Sequence, residues 1–81
     1  MYYHSEEHAY VENRNHVSAN VPVKGRSEID PGRVRRYMGP AVSHATGEVF
    51  ELIRYLEPDR TCRLIAIRLN LFANNYNEEE N

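Results

Sequence analysis

The chain of 81 residues contains one cysteine, Cys62, and no tryptophan. A lone thiol excludes an internal disulfide framework. The sequence has no Cys-x-x-Cys pair, no Gly-x-Gly-x-x-Gly and no phosphate loop, so zinc-ribbon, thiol-redox and dinucleotide-fold functions lack the residues they require. No apolar run approaches the roughly 20 residues of a membrane-spanning helix. The opening stretch, Met1-Tyr2-Tyr3-His4-Ser5-Glu6-Glu7, lacks the apolar core of a secretory signal. A reducing, cytoplasmic setting is therefore expected. Lysine is also scarce: Lys24 stands alone, and the other nine of the ten basic residues are Arg.

What is present is a modest apolar share, 41%, in a chain long enough for a single small domain, 1–81. Chains of this size bury only about 60% of their unfolded surface, and one core of this kind supplies roughly 3–5 kcal/mol, so partner subunits often help. The net charge of −2 is unevenly spread. Glu6, Glu7 and Glu12 lie near one end and Glu78, Glu79 and Glu80 near the other. Lys24, Arg26, Arg33, Arg35 and Arg36 crowd the centre, opposed locally by Glu28 and Asp30. The planar fork of Arg grips phosphate or carboxylate at two points. The plainer reading is a solvated face.

Residues 1–15 show no period and are expected to form an irregular arm. Residues 16–26 form an extended segment and turn: Val17, Ala19, Val21 and Val23 alternate with Ser18, Asn20 and Pro22. Pro22 removes a ladder donor and confines this stretch to an edge or a free arm. Asp30-Pro31 then opens a helix, with Asp as cap and Pro in the first position. Apolar residues at Val34, Met38, Ala41, Val42, Ala45, Val49, Leu52, Ile53 and Leu56 predict a helix over 31–57, kinked at Gly39-Pro40 or divided there into helices over 31–38 and 40–57, and stopped by Pro58. A second helix is predicted over 59–77, with Cys62, Ile65, Leu69, Phe72 and Tyr76 on one stripe, and a frayed tail over 78–81. The fold class is thus mainly α, a helical hairpin with a short extended N-terminal arm. Leu64, Ile67 and Leu71 widen the second stripe beyond what one partner helix can cover. A second copy of the chain would cover it, giving a homo-oligomeric helical bundle; the arm 17–23 folding back is the alternative.

Few residues suggest catalysis. His4-Ser5-Glu6-Glu7-His8 matches the H-x-x-E-H pattern of a zinc-peptidase family, but it lies at the terminus with no helix indicated, and incidental His in an acidic run explains it. Cys62 reads as a small core hydrophobe, and His44 as structural. The expectation is no enzyme, no catalytic residue, no metal and no cofactor. Binding is better supported. Lys24, Arg26, Ser27, Arg33, Arg36 and Tyr37 surround the predicted helix start, where an anion is favoured. Tyr10, His16 and Tyr37 add flat faces on which a purine can stack. A nucleotide-sized anion suits this set. Alternatively, the Arg residues pair with Glu28, Asp30 or acids of a neighbouring subunit.

The segments Val21-Pro22-Val23-Lys24, Arg36-Tyr37, Leu56-Glu57-Pro58 with Arg60, and Ala73-Asn74 resemble the layout of the small phage anti-CBASS proteins, sponges for the cyclic oligonucleotide signals of bacterial immunity. The resemblance covers residues 16–77. The interval from Pro58 to Ala73 is about one helical turn shorter than in that pattern, and Gly39-Pro40 interrupts the first helix. The resemblance implies a helical homo-oligomer in the host cytoplasm that binds a cyclic dinucleotide between protomers without cleaving it. Two other functions fit the same residues. One is an inhibitor of a host protein that docks through the arm and second helix. The other is a nucleic-acid binder using the Arg cluster, against which the overall acidity counts.

Overall fold

A computed structural model describes residues 6–73. The architecture is all-β. Five strands, β1 (His8–Asn13), β2 (Ser18–Gly25), β3 (Val34–Ser43), β4 (Glu48–Leu56) and β5 (Cys62–Phe72), close into a barrel in the order β1-β2-β5-β4-β3. β3 pairs back onto β1 through Val11 and Ser43, and every neighbouring pair is antiparallel except β2 with β5. Where helices were expected over 31–57 and 59–77, the described residues form β3, β4 and β5 and contain no helical hairpin from which to build a bundle. The irregular arm expected over 1–15 contains β1. The tail expected over 78–81 and the end of the second predicted helix lie outside the described residues. No helix among the described residues is long and apolar enough to cross a membrane.

The apolar residues sort into two layers by the two-residue alternation of strands. Val11, Val21, Val23, Ala41, Phe50, Leu52 and Ala66 fill the barrel interior, with Leu64 packed against them. Residues of opposite phase on β4 and β5, Ile53, Tyr55, Ile65 and Ile67, form an outer layer beneath Ile29 and Val34. β4 and β5 are therefore covered on both faces, which replaces the polar/apolar alternation with apolar runs. Such runs mimic helical spacing, the physical reason for the erroneous helix reading. The surplus stripe assigned to a second copy is dispersed. Leu64 meets the interior, Ile67 is buried within the outer layer, and Leu71 is exposed.

The β2–β3 connection supplies the outer cover and carries two single 3₁₀ turns, Arg26–Glu28 and Pro31–Arg33. Asp30 caps the second: its side chain accepts a bond from the Gly32 N–H, and Pro31 takes the first position. The local signal seen in the sequence is real, but it opens one turn rather than a long helix. Three contacts fasten the connection to β4. The Asp30 N–H donates to the Tyr55 hydroxyl at 2.9 Å, Arg33 Nε donates to the Leu56 carbonyl at 2.8 Å, and the Arg33 guanidinium lies 4.7 Å from the Tyr55 ring centre. Gly39-Pro40, expected to kink a helix, instead marks a β-bulge. The register with β4 shifts between Tyr37 and Gly39, and Gly39 takes φ +94°, a conformation open to glycine.

One end of the interior column is polar. Glu48, only 5% exposed, accepts bonds from Arg68 Nη1 at 2.9 and 3.0 Å, while Arg68 Nη2 reaches Glu7 and the guanidinium lies over Phe50. Breaking a buried pair by removing one partner costs about 3–5 kcal/mol. Arg68 is 32% exposed at its side chain, so water moderates the loss. Arg68→Met is expected to lower stability by about 2 kcal/mol, and adding Glu48→Gln should recover much of it by removing the stranded charge. Urea unfolding of the two variants measures both effects. A midpoint unchanged by Arg68→Met would exclude the pair as a support of the barrel.

Candidate functional site

Beyond the outer layer the same sheet face runs on uncovered and forms a groove of about 560 Å³, lined by Arg26, Ile29, Pro31, Tyr37, Glu51, Ile67 and Leu69. That volume lies within the range of small-molecule sites. Each wall has a local origin. Tyr37 on β3 pairs with Ile53 on β4, and Glu51 pairs with Ile67 on β5, so Tyr37, Glu51 and Ile67 share the outer face. Leu69 follows two residues after Ile67, just before the irregularity in β5 where Asn70 takes φ +61°. Arg26, Ile29 and Pro31 come from the connection. Its turns end the cover and leave its rim facing Tyr37 across the groove.

Of the eight residues expected to bind a ligand, the fold brings Arg26 and Tyr37 into this groove and sends the others elsewhere. Tyr37 is 67% exposed, so its ring face is free for a flat ligand to stack on. Arg33 is committed to Leu56 and Tyr55. Lys24 lies 3.6 Å from Glu6. Ser27 is exposed in the first 3₁₀ turn. Arg36 pairs with Arg54 on β4, one residue out of phase with Tyr37, and does not line the groove. Tyr10 is exposed on β1 opposite Asn20. Sequence reading missed Glu51, Ile67 and Leu69, which looked like parts of helix faces. The turn sequence Glu57-Pro58-Asp59-Arg60 between two apolar runs was the available signal for a hairpin, which would have placed them on one sheet.

In comparisons with known proteins, no family model, no curated protein and no solved structure matches this chain. The assignment of function therefore rests on the chemistry of its own surfaces.

A second hollow, about 380 Å³, contains His16 and lies between the β1–β2 turn and the β3–β4 end, with Glu12, Pro40 and His44 among its walls. Glu12 joins the two loops. One carboxylate oxygen is 2.5 Å from His44 Nε2 and the other 2.9 Å from His16 Nδ1. Thus His44 makes a contact far along the chain rather than lying on a helix. Other chemical candidates also change character. Cys62 is exposed at the start of β5 rather than buried. The H-x-x-E-H match begins at His4, outside the described residues, and its other end, His8, lies on β1 with Nδ1 3.0 Å from the Glu6 carbonyl oxygen. Among the described residues no group of three or more His, Cys, Asp and Glu is placed to hold a metal ion.

The bond to His44 first, and then that to His16, holds the Glu12 carboxyl below its ordinary value of 4.5. A depressed carboxyl pKa contributes stability that is fully present above the unfolded value and is lost as pH falls through the lower folded value. Wild type should therefore exceed Glu12→Gln in urea midpoint at neutral pH, with the difference shrinking below about pH 4.5 and vanishing in stronger acid. A difference that persists undiminished in acid would show that the carboxylate is not its source.

Proposed function

We propose that this chain binds a nucleotide-class ligand, without cleaving it, in the groove between the β2–β3 connection and Tyr37. The observation that carries the reading is the meeting of Arg26 and Tyr37 on one apolar-floored groove, although they come from separate segments of the chain. An exposed phenol ring stacks on a base, a contact worth about 1–3 kcal/mol. A guanidinium takes a phosphate through two parallel N–H bonds. Ile67, Leu69 and Pro31 exclude water beneath a flat ring. The polar groups are few and set among apolar walls, the usual composition of a recognition site. A cyclic oligonucleotide is the member of this class implied by the resemblance to the anti-CBASS sponges, although the helical bundle that the resemblance also implied is not the fold of this chain.

A thermal-shift panel of mononucleotides and cyclic di- and trinucleotides tests the proposal. Ligand at 100 times its dissociation constant adds about 2.7 kcal/mol, which for a domain of this size raises the melting temperature by roughly 10–20 °C. Tyr37→Ala and Arg26→Ala should each weaken binding about 5- to 150-fold, the range set by one stacking contact or one good charged pair, while leaving the unliganded melting temperature within a few degrees of wild type. A flat response across the whole panel would dispose of the nucleotide reading.

A further inference from the structure

Glu51 is the acid that the fold leaves without a partner. Among the described residues every other carboxylate has one: Glu6 with Lys24 and Arg63, Glu7 and Glu48 with Arg68, Glu12 with two His, Glu57 with Arg33 and Arg63. Glu28, Asp30 and Asp59 accept backbone N–H bonds within their own turns. Glu51 has neither an ion pair nor a hydrogen bond among the described residues, yet it is half-buried and lines the groove with Arg26 and Tyr37. Its register neighbours are Pro40 and Ile67, which offer its carboxylate no side-chain donor. Its oxygens are not among the buried atoms that lack a partner, so water reaches them, and a ligand that brings two donors to this side of the groove can take the place of that water.

From this placement we infer that the groove selects guanine, with Glu51 accepting two hydrogen bonds from the base-pairing edge of the ring. This rests on the nucleotide reading above and narrows it. An ionised carboxylate is acceptor-only and presents two oxygens side by side. Guanine alone among the common bases carries two adjacent donors on that edge, its ring N–H and its exocyclic amino group. Adenine and cytosine each set a ring-nitrogen acceptor beside their amino donor, and uracil flanks its ring N–H with two carbonyl oxygens. Against any of these a carboxylate makes one bond and meets at least one lone pair. Hypoxanthine keeps the ring N–H and lacks the amino group, so it forms one of the two bonds. A cationic peptide side chain would also satisfy Glu51, but it would have to sit in a groove whose lining already includes the cationic residue Arg26. A ligand with a donor edge at one end and an anion at the other matches both charges.

Isothermal titration of the full chain with GMP, IMP, AMP, CMP and UMP tests the inference, since all five carry the same phosphate and differ in the base. A two-bond base contact discriminates by about 1–3 kcal/mol, so GMP should bind about 5- to 150-fold more tightly than AMP, with IMP between them. Glu51→Gln places an amide donor against one of the guanine donors and should collapse the preference for GMP. The wild-type GMP-to-IMP ratio is a readout that requires no variant to fold. If all five bind equally, and Tyr37→Ala still weakens them, guanine selection is wrong and the nucleotide site stands. If none binds, guanine selection falls, and the nucleotide reading falls with it when the cyclic di- and trinucleotides are silent too. If an arginine analogue such as agmatine binds in place of GMP and loses affinity in Glu51→Gln, the carboxylate reads a cation and the inference is overturned.

Discussion

The rest of the structure depends on covering β4 and β5 on both faces. Their inner residues, Phe50, Leu52 and Ala66, complete the barrel interior, while Ile53, Tyr55, Ile65 and Ile67 on the reverse side require a second cover. Closure creates that need and also supplies the cover. β2 pairs with β5 in parallel, so the chain cannot pass between them by a tight turn and must cross over. It leaves β2 through residues 26–33, and this connection lies over the outer face, fastened by Asp30 to Tyr55 and by Arg33 to Leu56. Eight residues in two 3₁₀ turns do not span the sheet. The groove over Glu51, Ile67 and Leu69 is the part of the outer face that they leave open.

The same alternation divides the basic residues that sit together in the sequence. Consecutive side chains on a strand face opposite ways, so Arg36 and Tyr37 serve different surfaces despite being adjacent. Arg33 is spent on fastening the crossover and Arg68 on the buried Glu48. Arg36 faces Arg54 across the β3–β4 ladder, a like-charge pair that disfavours folding slightly. A cluster of Arg in sequence is thus three separate things in space: structural ties, a repulsive cross-strand pair, and one residue, Arg26, lining the groove. The scarcity of Lys fits the structural ties. Nε of Arg33 bonds a carbonyl while the plane of the same guanidinium lies over a ring, a double use that an ammonium cannot reproduce.

Signals governed by neighbouring residues were legible in the sequence, and those governed by distant layers were not. The alternation of Val17, Ala19, Val21 and Val23 marks the segment in which β2 lies, and Pro22 occupies a position its chemistry allows. The pairing of β2 with β5 begins at Val23, so at Pro22 the strand has only β1 beside it. Asp30-Pro31 caps a turn as its residues require, but capping determines where a helical turn starts and not how many follow. The misreading of 34–72 has one cause. A strand shielded on both sides no longer alternates, and Val49-Phe50-Glu51-Leu52-Ile53 offers a face to any period. The Gly39-Pro40 interruption and the Pro58-Asp59 turn carried the contrary information, since both fit strand boundaries and bulges better than helix interiors.

Glu51 shows why a site can be invisible until the layers are known. Under a helical period its neighbours Phe50 and Leu52 belong to other faces, and a glutamate between them reads as ordinary solvated charge. Once β4 is a strand with an apolar layer on each side, a glutamate on the outer face becomes a break in a hydrophobic surface. Glu48, three residues earlier on the same strand, shows how the fold treats an acid that it must bury: it is given Arg68 and a place at the end of the interior column. Glu51 sits beside Ile67 without such a partner, although Arg26 lines the same groove and makes no ion pair with it among the described residues. Closing that pair would fill the groove with protein and stabilise the domain. Keeping the two charges apart holds an acceptor and an anion-binding group in one cleft, open to a ligand that carries the complementary groups at matching ends.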